Sequence, residues 1–212
     1  KKPAKVAGKK AAIIGGGPTG IAAAYFLGRV GVECTIFERT NALGGIVRHV
    51  IPEFRISHEA IDKDIALMQA YGAEIRLNTE APSVEELKKQ GYTHILYAVG
   101  AWKPGKLDIP GNVRGVIGWL EEMKAGKGGK LGHVAVVGGG NTAMDAARVA
   151  KRAGAASSTL VYRRTKKYMP ADAEELELAI EDGVEFLELV APVEQKDGKL
   201  ICNKMELGAP DA

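Results

Sequence analysis

The chain has 212 residues, of which 46% are hydrophobic and 26% are charged, so it can form one or two domains with a buried core. The net charge is +3, and much of this excess lies in a basic entry segment made by Lys1, Lys2, Lys5, Lys9 and Lys10. Because no aromatic residues that could stack on bases alternate with these lysines, the pattern favours a flexible segment over a nucleic-acid-binding tail.

Cysteine usage and hydropathy exclude several classes of protein. Cys34 and Cys202 form no Cys-x-x-Cys pair, so the sequence predicts no disulfide framework, zinc site or iron–sulfur site within this chain. The four histidines share no metal-ligand spacing, and no bound metal is predicted. The apolar stretches are far shorter than the ~20 residues that span a bilayer, and no signal peptide is recognisable. We therefore expect no membrane association and a cytoplasmic location.

The first predicted elements form a βαβ pattern. A strand at residues 11–14 leads into Gly15, Gly17 and Gly20, and an alanine-rich helix is followed by a strand at residues 34–37. In such a turn the first glycine allows the sharp bend, and the second lets the backbone approach a pyrophosphate. The third lets the helix pack against the strand.

Glu38 follows the second strand of this pattern. A carboxylate at that position accepts hydrogen bonds from ribose hydroxyls and repels a 2′-phosphate, so the unit predicts FAD or NAD rather than NADP. The alternative is an α/β turn that binds no nucleotide. The candidate cofactor-binding residues of this unit are Gly15, Gly17, Pro18, Thr19, Gly20, Glu38 and Arg39.

The middle of the chain predicts alternating helices and strands before a glycine-rich linker. The helices are expected at residues 58–71, 83–90 and 116–124, the strands at 74–77 and 94–99, and a loop at 100–111. A linker at residues 126–132 divides the chain into an FAD-binding domain at 1–125 and an NADPH-binding domain at 133–212.

A second copy of the glycine turn starts 123 residues after the first. Gly138, Gly140 and Ala143 follow a strand at residues 134–137, with alanine in the permitted third place. The next strand, at 159–162, ends in two arginines, Arg163 and Arg164, and no acid. Guanidinium groups there pair with a 2′-phosphate and indicate NADPH, whereas the alternative is a solvated basic face.

One residue of this second unit keeps two interpretations. Asp145, on the first turns of the helix, either complements the helix dipole or touches the cofactor. Beyond the second unit we predict a helix at residues 171–181 and strands at 184–190 and 200–206. Asp197 and Gly198 suit a hairpin turn between these last two strands.

Further segments resemble the glutamate synthase small (β) subunit family. They are Leu43-Gly44-Gly45-Ile46, residues 51–55, 97–104, 107–111 and 138–145, Tyr162-Arg163-Arg164, Met169-Pro170 and residues 181–186. Within the family, residues 115–120 and 168–172 are most similar to the branch named after a selenate reductase subunit. The resemblance covers nearly the whole chain.

This resemblance implies an α/β fold with two Rossmann-like lobes, as in two-dinucleotide flavoproteins. It implies that NADPH reduces FAD and that electrons pass to iron–sulfur clusters of a partner domain or subunit. It places Gly44, Gly45 and Arg55 on the flavin side, Ala98, Val99 and Gly100 at a crossing strand near FAD, and Asn141 and Thr142 near the NADPH pyrophosphate. No catalytic acid or base is expected, because the cofactors carry the chemistry.

Departures from the family pattern leave a rival interpretation open. Val99 stands where threonine is common, and the family's preceding cysteine-rich domain and following flavin-closing segment are absent, so we expect a truncated fragment, with a homodimer as a candidate assembly. The rival is a non-catalytic nucleotide-binding or assembly module that keeps the fold. Trp102 lies in the loop after the crossing strand and is a candidate for packing near a cofactor.

Overall fold

The computed structural model describes residues 3–103 and 105–208. The chain forms two compact units, Lys1–Trp102 and Lys103–Ala212. Three residues quoted from the entry segment and the family motifs lie outside the described residues: Lys1, Lys2 and Pro104.

A parallel sheet forms the centre of the first unit. Its strands are β1 (Lys10–Ile14), β2 (Glu33–Phe37), β3 (Glu74–Arg76) and β4 (His94–Tyr97). They lie in the order β3-β2-β1-β4. The helices are α1 (Pro18–Arg29), α2 (Gly45–His49), α3 (His58–Gln69) and α4 (Val84–Lys89). The carboxyl ends of parallel strands share one edge, where α/β sheets bind their ligands.

Local sequence explains where these helices begin. Pro18 occupies the first position of α1, where a missing N–H removes no helical hydrogen bond. Ser57 and Ser83 cap α3 and α4, and the hydroxyl of each accepts a hydrogen bond of 3.2 Å from the backbone N–H three residues later. These caps match the predicted starts of both helices.

Apolar side chains cover the sheet on both faces. Ile13 and Ile36 pack with Ile21 of α1 on one face, whereas Ala12 and Phe37 belong to a separate cluster on the other. Neighbouring residues of a strand point to opposite faces, so a sheet buried on both sides needs almost continuous apolar strands. This explains why the residues after Lys10 in β1 and after Glu33 in β2 are apolar apart from the buried Thr35.

The second unit repeats the arrangement with three strands in its parallel sheet and adds a separate two-stranded hairpin. Its helices are α5 (Val116–Lys124), α6 (Asn141–Arg152) and α7 (Ala173–Glu181), with a 3-10 turn at Lys166–Tyr168. Its strands are β5 (His133–Val137), β6 (Ser157–Tyr162), β7 (Glu185–Glu188), β8 (Val190–Lys196) and β9 (Lys199–Lys204). The first three form a parallel sheet in the order β5-β6-β7, and β8 and β9 form an antiparallel hairpin.

The predicted α/β class with parallel sheets and the hairpin turn at Asp197 and Gly198 are confirmed, but the strand predicted to enter that turn is wrong. The turn at Asp197 and Gly198 joins β8 to β9, not a strand at 184–190 to one at 200–206. Leu189, whose φ is +57°, interrupts the extended backbone and separates β7 from β8 inside the stretch that the sequence predicts as one strand. Prediction also missed the short helix α2.

The structure divides the chain earlier than the predicted linker at residues 126–132. The compact units meet between Trp102 and Lys103, so α5 and the linker lie inside the second unit. Two contacts explain this: α5 packs on α6, and Gln195 of β8 donates its backbone N–H to the Pro110 carbonyl at 2.9 Å. The glycine content of 126–132 marked a loop within a unit, not a boundary.

Candidate functional site

The first glycine turn connects β1 to α1 with the geometry of a nucleotide-binding unit. The Gly15 N–H donates to the Phe37 carbonyl at 2.9 Å, which joins the ends of β1 and β2. A Cβ atom on Gly20 would lie 2.0 Å from the Gly15 oxygen, so only glycine lets the helix approach the turn. On Gly17 it would meet nothing closer than 3.9 Å, which leaves that side open to a ligand.

Glu38 is held against this turn. Its side chain is buried, and its Oε2 accepts a hydrogen bond of 2.7 Å from the Gly16 N–H. A Cβ on Gly16 would lie 2.4 Å from a methyl carbon of Leu43 and 3.0 Å from Oε2. A side chain at Gly16, between the first two glycines of the pattern, would therefore displace Leu43 and the Glu38 carboxylate, which the Gly-x-Gly pattern did not reveal.

A second set of contacts orients the other carboxylate oxygen. Oε1 of Glu38 accepts from both the backbone N–H and the hydroxyl of Thr40, each at 2.8 Å. The Thr40 oxygen also lies 2.9 Å from the Ala42 carbonyl and 3.3 Å from Nε2 of His49. Sequence reasoning missed Thr40 and His49, because only the turn that follows β2 brings them to the carboxylate.

A cleft opens at the carboxyl ends of β1, β2 and β4. Ten predicted site residues line it: Gly15, Gly17, Pro18, Thr19, Glu38, Arg39, Gly45, Ala98, Val99 and Gly100. The loop after β3, with Thr79, Glu80 and Ala81, lines it too and was missed, although the switch-point rule for parallel sheets points to that edge. Trp102 completes the lining, and the Arg39 guanidinium lies 5.1 Å from its ring centre.

The remaining predicted residues of the first unit lie elsewhere. Gly20 is buried behind the turn, and Gly44 is buried where its N–H donates to the Gly16 carbonyl at 2.8 Å. Arg55 is partly buried and does not line the cleft. Gly44 thus fixes the loop that carries Gly45 into the cleft.

The cleft has the features that a dinucleotide requires. No side chain caps α1 at Gly17, so the N–H groups of its first turn and the positive end of the helix dipole are available to phosphate oxygens. A carboxylate, an arginine and an indole lie around the same opening. FAD fits this donor set: the helix N-terminus would hold its phosphates, and Glu38 would accept from its ribose hydroxyls.

The second glycine turn has the same backbone construction. The Gly138 N–H donates to the Val161 carbonyl at 3.1 Å, and no side chain caps α6 at Gly140. Ala143 is buried, and a Cβ on Gly138 would lie 3.3 Å from its methyl group. An alanine in the third position therefore still allows close packing.

Two exposed arginines follow β6, as the sequence predicts. Within the part of the chain that the structure describes, the side chains of Arg163 and Arg164 have no hydrogen bond or ion pair, although the Arg164 backbone carbonyl accepts from the Leu189 N–H at 3.2 Å. Nearby, Lys166 lies 3.6 Å from Glu177, and both side chains are largely exposed. The two guanidinium groups are therefore free to bind an anion.

Asn141 and Asp145, both on α6, take structural contacts. The Asn141 amide donates to the Asp172 carboxylate at 3.2 Å, and its carbonyl accepts from the Asp172 N–H at 3.1 Å. Asp145 is buried. Thr142 is exposed beside them. Asn141 thereby ties the start of α7 to the glycine turn, and a role for Asn141 at the pyrophosphate stays a prediction.

Residues 3–103 and 105–208 contain no group of three or more His, Cys, Asp or Glu side chains that could hold a metal ion. None of their helices combines the length and hydropathy needed to cross a membrane.

The family model described as pyridine nucleotide-disulphide oxidoreductase matches residues 9–206. The chain belongs to this family. The match includes both glycine turns and both strand ends described above. The enzyme class and cofactor pair expected from the sequence, an oxidoreductase that uses FAD and NADPH, are confirmed at the level of the family.

Several curated proteins are similar over nearly the whole chain. The chain is 44% identical to "Putative oxidoreductase YgfK" of Escherichia coli over 207 residues, which are 94% of this chain and 20% of that protein. It is 39% identical to the NADPH-Fe(3+) oxidoreductase subunit beta of Geobacter sulfurreducens, over 100% of this chain and 34% of that protein. It is 34% identical to the glutamate synthase [NADPH] small chain of Escherichia coli, over 98% of this chain and 49% of that protein. The resemblance to glutamate synthase small subunits is confirmed; the selenate reductase branch stays a prediction.

Solved structures share the fold. A 2-naphthoyl-CoA reductase complex superposes with a TM-score of 0.76 at 22% identity, covering 95% of this chain and 31% of that one. FprA of Mycobacterium tuberculosis, solved in complex with NADPH, superposes with a TM-score of 0.72 at 16% identity, covering 92% of this chain and 66% of that one. The chain spans between a fifth and a half of the length of the curated relatives named above.

Proposed function

We propose that this chain is the electron-entry module of a flavin-dependent oxidoreductase, in which NADPH reduces FAD and electrons pass on to iron–sulfur clusters of a partner domain or subunit. The first unit would bind FAD and the second NADPH. The difference between the two strand ends supports this assignment most strongly. Glu38 is a buried, oriented carboxylate after β2, whereas two exposed and unpaired arginines follow β6.

The residues of the first unit would hold FAD by its adenosine and pyrophosphate. The first turn of α1 would bind the phosphates, and Glu38 would accept from the ribose hydroxyls. Bound flavin would supply the step between two-electron and one-electron transfer. Here the chain's own contribution is to bind and orient, because no acid or base in the cleft is needed for hydride transfer.

The second unit would select NADPH by charge. A 2′-phosphate carries negative charge to the end of β6, where Arg163 and Arg164 are free, and a charge-assisted pair contributes about 1.5–3 kcal/mol. The names of two relatives, a subunit beta and a small chain, support a place in a multi-subunit enzyme. The iron–sulfur acceptor and the final substrate belong to that larger assembly.

Visible absorbance tests the proposal against a non-catalytic binding module. We expect the purified chain, after incubation with FAD and desalting, to be yellow, and we expect anaerobic NADPH to bleach it. Glu38→Gln, which keeps the shape and removes the charge, should retain less FAD. A chain that binds neither nucleotide at micromolar concentration would refute the proposal. A chain that binds both without bleaching would support the non-catalytic alternative.

A further inference from the structure

Glu38 and Tyr162 occupy equivalent positions in the two units. In the first unit, Ile14 pairs with Phe37 at the strand ends, and Glu38 comes next. In the second, Val137 pairs with Val161, and Tyr162 comes next. The matching hydrogen bonds from the first glycine of each turn to the partner strand support the same register.

The arginines do not by themselves distinguish the two units. By this register Arg39 is the counterpart of Arg163, so each unit carries an arginine at the same place. Arg39 lies over the ring of Trp102, whereas Arg163 has no such partner among the described residues. The residue before the arginine, acidic in one unit and aromatic in the other, is the clearer difference.

The ring of Tyr162 covers the second unit's middle glycine. Gly139 is the counterpart of Gly16, and both are buried. A Cβ on Gly139 would lie 2.5–2.9 Å from three ring atoms of Tyr162. Where the first unit presents a carboxylate to the turn, the second therefore presents an uncharged face that does not repel a 2′-phosphate.

The hydroxyl of Tyr162 has a separate contact. It donates to the Tyr168 carbonyl at 2.6 Å and so ties down the 3-10 turn at Lys166–Tyr168. Between the two tyrosines lie Arg163, Arg164 and two lysines, so the tether holds both ends of the basic segment. The backbone of Lys166 is fixed as well, because its N–H donates to Glu188 at 2.8 Å.

We propose that Tyr162 is a specificity-determining residue for nucleotides that carry a 2′-phosphate. Its ring replaces the ribose-binding carboxylate, and its hydroxyl positions the basic segment that binds the phosphate. This inference rests on the proposed binding of NADPH by the second unit. It assigns the preference to Tyr162 together with the arginines, not to the arginines alone.

Binding of NADPH and NADH to the full chain, measured by anaerobic calorimetry with an excess of FAD that has been chemically reduced beforehand, tests this inference, because neither nucleotide can then transfer hydride during the titration. Tyr162→Phe should weaken NADPH binding about three- to tenfold, as expected for one hydrogen bond, and leave NADH unchanged. Tyr162→Glu should lower the NADPH-to-NADH affinity ratio at least tenfold. Tyr92→Phe, which removes a buried tyrosine hydroxyl from the first unit, is the matched control and should change neither affinity.

The outcomes separate this inference from the proposed function. Wild type that binds both nucleotides equally, or neither, would refute the NADPH assignment. If wild type prefers NADPH and both Tyr162 variants keep that preference, only the role of Tyr162 is overturned. The same holds if the variants bind NADPH and NADH more weakly by equal factors, because that result indicates a merely structural role. If Tyr162→Glu does not fold by circular dichroism, Tyr162→Phe decides alone, and unchanged NADPH affinity overturns the proposal.

Discussion

The hydroxyl and the backbone N–H of Thr40 donate to the same oxygen of Glu38, each at 2.8 Å. The other carboxylate oxygen accepts from Gly16 at 2.7 Å. A carboxyl group with three such donors is fixed in orientation before any ribose binds. Preorganisation of this kind reduces the entropy that binding costs, so Thr40 should contribute to nucleotide affinity although it does not line the cleft.

Thr40→Val should therefore weaken FAD binding by about two- to tenfold, because it removes one of these hydrogen bonds and keeps the side-chain shape. Thr40→Ser, which keeps the hydroxyl, is the control and should bind like wild type. Fluorescence titration of FAD into each variant measures the change. Equal affinities for the valine variant and wild type would show that the backbone donors alone orient Glu38.

We predict that the chain does not reduce disulfides, despite the family's description. Burial raises the pKa of the Cys34 thiol to about 11, so only about one thiol in a thousand is ionised at pH 8. Burial also raises the pKa of Cys202, which is less enclosed. In a folded Cys202→Ser variant, Cys34 should react with an aromatic disulfide reagent orders of magnitude more slowly than after unfolding.

NADPH-driven turnover of a disulfide substrate is the opposing result. If such turnover occurs in wild type and disappears in Cys34→Ser, the prediction is wrong. Cys202→Ser serves as the comparison, because it removes the other thiol and leaves the buried one in place.

An ion-pair network should make the second unit sensitive to acid. Hydrogen bonds from Arg152 and then Arg148, at 2.8 Å to each Nε, lower the pKa of Asp182 below its ordinary value of 3.8. A carboxyl group whose pKa is lower in the folded chain stabilises the fold fully at pH values above its pKa in the unfolded chain. This stabilisation is lost as the pH falls through its pKa in the folded chain. We therefore expect loss of stability to begin below about pH 4.

Asp182→Asn tests this contribution directly. It should lower the free energy of unfolding by about 1–3 kcal/mol at pH 7, because Arg148 is almost fully buried and would lose a charged partner. The difference from wild type should shrink at pH 3. Urea unfolding, followed by the fluorescence of Trp119 in α5, reports on this unit when Trp102, the other tryptophan, is replaced by phenylalanine. Glu177→Gln, which breaks an exposed pair, is the control and should change stability by less than about 0.5 kcal/mol.

The sequence predicted the backbone of both nucleotide turns because their geometry depends on local spacing. Glycines at fixed offsets, apolar strands on both sides and serine caps are all visible within short windows, and the observed strands and helices follow them closely. The contacts that depend on side chains distant in sequence were not predictable. Thr79 reaches the cleft only because β3 pairs with β2, a register that no local pattern gives.

Two features of the second unit also depend on structure that short windows of sequence do not show. The interruption at Leu189 is a single residue with positive φ within the predicted strand, and leucine is not a residue type that favours positive φ. The unit boundary is decided by α5 packing on α6, a tertiary contact that outweighs the glycine-rich linker. Tyr162 was passed over because its role depends on how its ring meets Gly139, which spacing does not show.

The buried hydroxyl of Tyr92 in the first unit should not stabilise the fold. Tyr92 is 2% exposed, and among the described residues its hydroxyl oxygen has no hydrogen-bond partner. Its ring packs edge-on against Phe37 at 5.9 Å, with the Lys10 ammonium 4.2 Å from its centre. The ring therefore stabilises the core, whereas the hydroxyl loses its hydration on folding and gains nothing in return.

Tyr92→Phe should accordingly leave the free energy of unfolding unchanged or raise it by up to about 1 kcal/mol, because it removes a buried hydroxyl that makes no hydrogen bond. Tyr162→Phe is the contrasting variant: it deletes a hydroxyl that does bond, to Tyr168 at 2.6 Å, and should lower stability by about 1 kcal/mol. Urea unfolding of both variants at pH 7 measures the pair. If Tyr92→Phe costs as much as Tyr162→Phe, the Tyr92 hydroxyl has a buried partner, such as an internal water molecule, and the prediction fails.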